Sequence, residues 1–194
     1  MDSTIVLASN SPRRKELLRQ IGLTFTAEAA QVDEGHLPGE RPETYAVRLA
    51  VEKAEAVAIK HRIGENIIIA ADTVVALGDT ILGKPVDAAD AMRMLTRLSG
   101  RVHKVISGLV VMDARTGDVQ SDHVDTMVWF RTLTYEQILW YVDTKEPLDK
   151  AGAYGIQGKG ALLIDRIEGC YFNVVGLPLS RLGEMLLNAG IRLF

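Results

Sequence analysis

The segment Ile67–Leu77, IIIAADTVVAL, is apolar along nearly its whole length and is broken once, by Asp72-Thr73. So continuous an apolar run suits a strand covered on both faces, not one at a sheet edge. An ionised carboxylate in the middle of such a strand is costly unless it is paired or reached by water. Asp72 is therefore either a buried aspartate held by backbone donors, or a base or metal ligand at a water-accessible position. The second reading gains from the basic residues that the chain folds back toward it.

One of these is Lys84. Gly78-Asp79 is a tight hairpin signal before a short strand Thr80–Leu82. A two-residue loop sets Leu77 opposite Thr80, Val75 opposite Leu82 and Thr73 opposite Lys84. Strict alternation then puts Lys84 and Thr73 on one side of the sheet and Asp72 on the other, unless a bulge at Gly83-Lys84-Pro85 intervenes. An ordinary strand-end lysine is the competing reading.

The remaining elements read as a mixture of βα units and hairpins. Thr4–Ala8 is a short buried strand, and Ser11-Pro12 opens a helix that Gly22 stops. Phe25–Val32 alternates as a strand, and Pro42 starts a helix to about Lys60 with Ala46, Leu49, Ala50 and Val57 on its apolar stripe. Ala88–Leu98 is helical. Val102–Met112 and Val119–Arg131 form a long hairpin, and Thr134–Val142 is a helix with Thr134 as cap and Gln137 at the capping-box position. Pro147–Gly160 has no periodicity. Strands follow at Ala161–Ile167 and Tyr171–Val175, then a helix at Pro178–Asn188. The expected class is α/β, with a mixed twisted sheet flanked by helices.

The length of 194 residues fits a single domain, 1–194, or one compact unit of two lobes around a cleft. An apolar fraction of 47% and a charged fraction of 24% are those of a globular chain that buries its own core. Cys170 is the only cysteine, which agrees with a reducing cytoplasm and leaves no cysteine-based zinc site. A net charge of −3 argues against a broad nucleic-acid surface. Ile67–Ala71 falls far short of the roughly 20 apolar residues that a membrane-spanning helix needs. The short apolar run Ile5–Ala8 is followed by Arg13-Arg14, the reverse of the secretory order.

Further residue groups carry chemistry. In Ser9-Asn10-Ser11-Pro12-Arg13-Arg14 two arginines occupy a helix N-terminus, where they oppose the macrodipole by about 0.3–1 kcal/mol. They are either solvated, or they join backbone N–H groups and hydroxyls in binding an anion such as phosphate. Lys53 falls on the apolar stripe of the second helix, so it snorkels to solvent or points into a polar cavity. In Gly152-Ala153-Tyr154-Gly155-Ile156-Gln157-Gly158 the glycines permit close backbone approach to a ligand, and Gln157 offers the donor and acceptor that suit a nucleobase edge. A tight helix-to-strand connection is the alternative. Asp33-Glu34 adds carboxylates for a divalent ion, or is merely solvated. The four histidines lack metal-ligand spacing; His103 and His123 either face each other across the hairpin or, the better reading, are simply satisfied or solvated.

Taken in order, Ser9-x-Ser11-Pro12-Arg13-Arg14, Ala71-Asp72-Thr73, Gly83-Lys84-Pro85, the Gly152–Gly158 segment and Val175-Gly176-Leu177-Pro178 closely resemble the Maf family. The resemblance spans nearly the whole chain. It implies a nucleoside triphosphate pyrophosphatase with a two-lobed fold like that of inosine triphosphate pyrophosphatases. The Gly155-Ile156-Gln157-Gly158 version resembles the branch that cleaves dTTP and UTP. By the same comparison Asp72 matches the proton acceptor, and Lys53 and Lys84 join it as catalytic candidates. Arg13, Thr73 and Gln157 match positions linked to substrate choice. Ser9 and Arg14 line the cleft, and Glu34 matches an acidic position that could hold Mg or Mn. Two other readings stay open: a nucleotide-binding regulator of cell division without turnover, and a pyrophosphatase for modified nucleotides. The oligomeric state is open as well, a homodimer included.

Overall fold

The computed structural model describes residues 4–193. Its strands are β1 (Thr4–Leu7), β2 (Phe25–Ala27), β3 (Asn66–Leu77), β4 (Thr80–Leu82), β5 (Val102–Asp113), β6 (Val119–Phe130) and β7 (Ile164–Glu168). Its helices are α1 (Pro12–Gln20), α2 (Pro42–Ala58), α3 (Ala88–Leu98), α4 (Tyr135–Asp143), α5 (Tyr171–Val175) and α6 (Leu179–Asn188). The sheet runs β2-β1-β3-β5-β6-β7, with β4 also on β3; β2 and β1 are parallel neighbours, and β5, β6 and β7 add antiparallel. The expected mixed sheet flanked by helices is what the chain forms.

Period-two alternation assigns the two faces of β3 to different partners. The even-numbered side chains Ile68, Ala70, Val74 and Ala76 pack under α2, against Tyr45, Ala46, Leu49, Ala50 and Ala54. The odd-numbered face is divided. Ile67, Ile69 and Ala71 meet Leu17 and Leu18 of α1 and Leu182, Met185 and Leu186 of α6. Val75 instead meets Leu95 and Leu98 of α3 and Ile138 and Tyr141 of α4. Two helical groups thus share one long strand, and the cleft lies between them.

The lengths of the flanking strands open that cleft. On one edge β3 pairs with β5 from Ile67 to Ala76. On the other edge β1 stops at Leu7, opposite Ile69, and β4 begins its pairing at Val75. Among the described residues no strand pairs with Ala70–Val74 on that edge, and Asp72-Thr73 lies inside the gap. The break in the apolar run coincides with a break in the sheet.

Several expectations need correcting. The second strand ends at Ala27 rather than Val32, because its partner β1 has run out: Glu28 N–H already donates to the Leu7 carbonyl. Tyr171–Val175 is a helix, not a strand. The chain turns at Gly169 (φ +126°), and Asn173 is drawn inward to donate to the Val105 carbonyl and Thr126 Oγ1, so tertiary contacts override the β-propensity of the valines. Ala161–Leu163 belongs to a 3-10 turn, and β7 starts at Ile164. Lys84 does not pair with Thr73, since the ladder ends at Val75–Leu82 and the Gly83 carbonyl instead accepts from Gly152 N–H. His103 lies opposite Val128 and His123 opposite Gly108, so the two histidines do not face each other. The Thr134–Gln137 capping box forms with both of its hydrogen bonds.

Candidate active site

Ser9, Arg13, Arg14, Glu34, Lys53, Asp72, Thr73, Lys84 and Gln157 line one cleft of about 470 Å³; Asp33 does not join them, and its Oδ1 accepts from Gly35 N–H at 2.9 Å instead. The unpaired edge of β3 explains how one cavity reaches residues on both sheet faces. Asp72 points to the α2 side and Thr73 to the other, and the cleft wraps around the edge between them.

On the α2 side, Lys53 settles its two alternatives by turning inward. Its Nζ lies 2.6 Å from Asp72 Oδ1 and 2.7 Å from Glu34 Oε1. The Lys53 and Asp72 side chains are only 12% and 13% exposed, whereas Glu34 is 53% exposed at the mouth. The Lys53 hydrogen bond holds the Glu34 carboxyl below its ordinary pKa, with smaller pulls from Lys84 and Arg14. Tyr45, stacked on His36 at 4.1 Å, donates to the Glu34 carbonyl at 2.7 Å and so ties this loop to α2. Burial, with help from Asp72, pushes the Tyr45 phenol up to about 12, so it serves as a donor near neutral pH.

Gly108 makes the Lys53 contact possible. It lies opposite Asp72 on β5, and a Cβ there would come within 2.2 Å of the Ala46 carbonyl oxygen. Only glycine lets α2 lie this close to the sheet.

On the opposite face, Arg14 is a three-way clamp. Its Nε donates to the Gly176 carbonyl at 2.8 Å, Nη2 to Thr73 Oγ1 at 3.1 Å and Nη1 to Ser9 Oγ at 3.4 Å. Burial draws its pKa down and Arg13 adds to this, while Asp72 and Glu34 oppose it. Thr73 Oγ1 continues the network to Ser107 Oγ at 2.8 Å, and Ser107 to the Asn173 carbonyl at 3.3 Å. Ser11 caps α1 through its weak 3.5 Å bond from Arg14 N–H. Arg13 reaches across the mouth to Asp149 at 3.4 Å. Lys84 is exposed and, among the described residues, makes no ion pair, which leaves its ammonium free for an anion.

Ser107, Gly108 and Asn173 escaped the sequence reading. The signal that exposed Asp72, a polar residue inside an apolar run, is also present in Val105–Met112 and in Tyr171–Val175, and would have found Ser107 and Asn173.

The model of the Maf family, described as Maf-like protein, matches residues 4–189. The chain belongs to the Maf family. It is 47% identical to a dTTP/UTP pyrophosphatase of Symbiobacterium thermophilum, over 98% of this chain and 96% of that one. To a dTTP/UTP pyrophosphatase of Acetivibrio thermocellus it is 50% identical, over 96% of each chain. A looser likeness is to the solved structure of the Staphylococcus aureus Ham1 protein, at 16% identity and a TM-score of 0.49, covering 69% of this chain and 74% of that one. Among the described residues of this Maf chain, no helix is long and apolar enough to cross a membrane.

Proposed function

We propose that this chain hydrolyses dTTP and UTP to the nucleoside monophosphate and pyrophosphate, in line with relatives that bear the name dTTP/UTP pyrophosphatase. The observation that carries this reading is one cleft that brings a carboxylate, Asp72, together with the cations Lys53, Lys84, Arg13 and Arg14. A triphosphate needs its negative charge offset, and a water needs a proton acceptor; the cleft supplies both.

In this mechanism the water oxygen attacks the α-phosphorus, and the bond from that phosphorus to the bridging oxygen breaks as pyrophosphate leaves. Asp72 takes the water's proton. Lys53 holds Asp72 Oδ1, which leaves Oδ2 to face the water. Lys84 and the two arginines offset the charge that grows on the leaving group. Gln157, exposed at the cleft wall, reads the pyrimidine edge through paired hydrogen bonds, and Thr73 and Arg13 bound the substrate.

A divalent cation, Mg or Mn, suits the donors present. Glu34, exposed at the mouth, would hold it through Oε2, the oxygen that Lys53 does not occupy. Among the described residues no three His, Cys, Asp or Glu groups converge as a protein cage, which fits an ion carried mainly by substrate phosphates and one or two carboxylates. When bound, such an ion neutralises phosphate charge and polarises the attacked phosphorus. A cytoplasmic location accords with this substrate.

The test is a pyrophosphate-release assay with Mg²⁺ or Mn²⁺ and a panel of dTTP, UTP, CTP, GTP and m7GTP. Release from dTTP and UTP well above the others supports the proposal. Binding of dTTP without release would instead indicate a nucleotide-sensing regulator, and equal cleavage of m7GTP would overturn the pyrimidine reading.

A further inference from the structure

The segment that carries Gln157 is closed into a small ring by groups outside the cleft chemistry. Gly155 N–H donates to Tyr141 Oη at 3.2 Å, and that hydroxyl donates to Glu146 Oε1 at 3.1 Å. The same Glu146 oxygen accepts from Gly160 N–H at 3.2 Å, while Oε2 accepts from Lys159 N–H at 3.2 Å. One carboxylate and one phenol therefore join both ends of the loop, and Ile156, Gln157 and Gly158 form its tip. The ends are held so tightly that a Cβ on Gly160 would fall 2.2 Å from the Gly155 carbonyl and 2.6 Å from Tyr141 Oη. At the tip, Ile156 packs into the apolar core under α1 and α6, and Gln157 faces the cleft with no side-chain partner among the described residues.

We infer that Glu146 and Tyr141 are positioning residues for base selection, fixing the angle at which Gln157 meets the pyrimidine. The inference rests on the reading of Gln157 given above. Paired hydrogen bonds discriminate between bases only when the group that makes them is held in one orientation. Gln157 has no lock of its own, so its orientation comes from the backbone, and the backbone is set by this clasp. Neither Glu146 nor Tyr141 lines the cleft, so neither touches substrate.

The experiment measures kcat and KM for UTP and CTP, with the thermal midpoint, in Glu146→Gln, Tyr141→Phe, Gln157→Ala and the double variant Glu146→Gln/Gln157→Ala. An amide at residue 146 keeps one acceptor and turns an NH₂ toward a backbone N–H, so the clasp loses a bond without losing volume. Both clasp variants are expected to cut the UTP-over-CTP preference in kcat/KM by about tenfold. The loss falls on KM for UTP, with kcat staying within about twofold. In the Gln157→Ala background the Glu146 change adds nothing to that loss, because the orientation it protected no longer matters. A role confined to stability would lower the thermal midpoint and leave the preference intact, which overturns the inference while Gln157→Ala still relaxes it. If Gln157→Ala itself keeps full preference, the reading of Gln157 fails and the inference fails with it. Should Glu146→Gln not fold, Tyr141→Phe keeps the buried ring and carries the same prediction.

Discussion

Lys53 Nζ is shared between Asp72 at 2.6 Å and Glu34 at 2.7 Å, one carboxylate inside the cleft and the other at its mouth. The ammonium compensates for the desolvation of Asp72, a cost that the sequence alone leaves unanswered. Asp72→Asn leaves Lys53 its Glu34 partner, so the fold should persist. Pyrophosphate release should fall by about 10²–10⁴-fold. Retained wild-type turnover in a folded Asp72→Asn protein would remove Asp72 from the mechanism.

Arg14→Lys tests the clamp on the other face. One ammonium cannot span the Gly176 carbonyl, Thr73 and Ser9, which the guanidinium reaches through three separate nitrogens. The expected result is a drop in kcat/KM of about 10–100-fold, with the charge unchanged. An active lysine variant would show that charge alone matters here.

Gly108→Ala should destabilise the protein by about 1–3 kcal/mol, because the added methyl collides with the Ala46 carbonyl and must push α2 outward. Lys53 moves with α2, so turnover should fall as well, although residue 108 touches no substrate. Urea unfolding and the pyrophosphate assay on one preparation check both parts. Stability lost with full activity retained would separate the helix position from the chemistry.

Buried His103 makes stability depend on pH. His103 is 2% exposed and bonded to Tyr154 Oη at 2.7 Å, and burial lowers its pKa to about 4 from an ordinary 6.5. The unfolded chain takes up this proton near pH 6.5 and the folded chain only near 4. Across that interval the unfolded state binds more protons, so stability is fully present above it and declines as the pH falls. The contribution lost between pH 7 and pH 5 is about 2 kcal/mol. Denaturant midpoints of wild type and His103→Gln at the two pH values isolate it, since the other titrating groups are common to both. An identical pH slope in the two proteins would contradict the assignment.

The parts of the site that depend on local periodicity were legible in the sequence. Alternation alone puts Asp72 and Thr73 on opposite faces, and the serine-proline cap starts α1 where Arg13 and Arg14 follow it. The direction of Lys53 was not legible, since it depends on how closely α2 meets the sheet, and Gly108, a distant residue, decides that. Nor was the end of the β4 ladder, which Gly152 sets by taking the Gly83 carbonyl. The Tyr171–Val175 helix was hidden for a similar reason: Asn173 is anchored by β5 and β6, and no local pattern announces those bonds.

The gap along Ala70–Val74 has an engineering consequence. A few more paired residues on β1 or β4 would zip that edge shut and wall Asp72 off from Thr73, with every side chain of the site still present. Under the proposed mechanism, access to Asp72 depends on where two short neighbours stop, and insertions next to Leu7 or Leu82 should silence turnover as surely as replacing the aspartate.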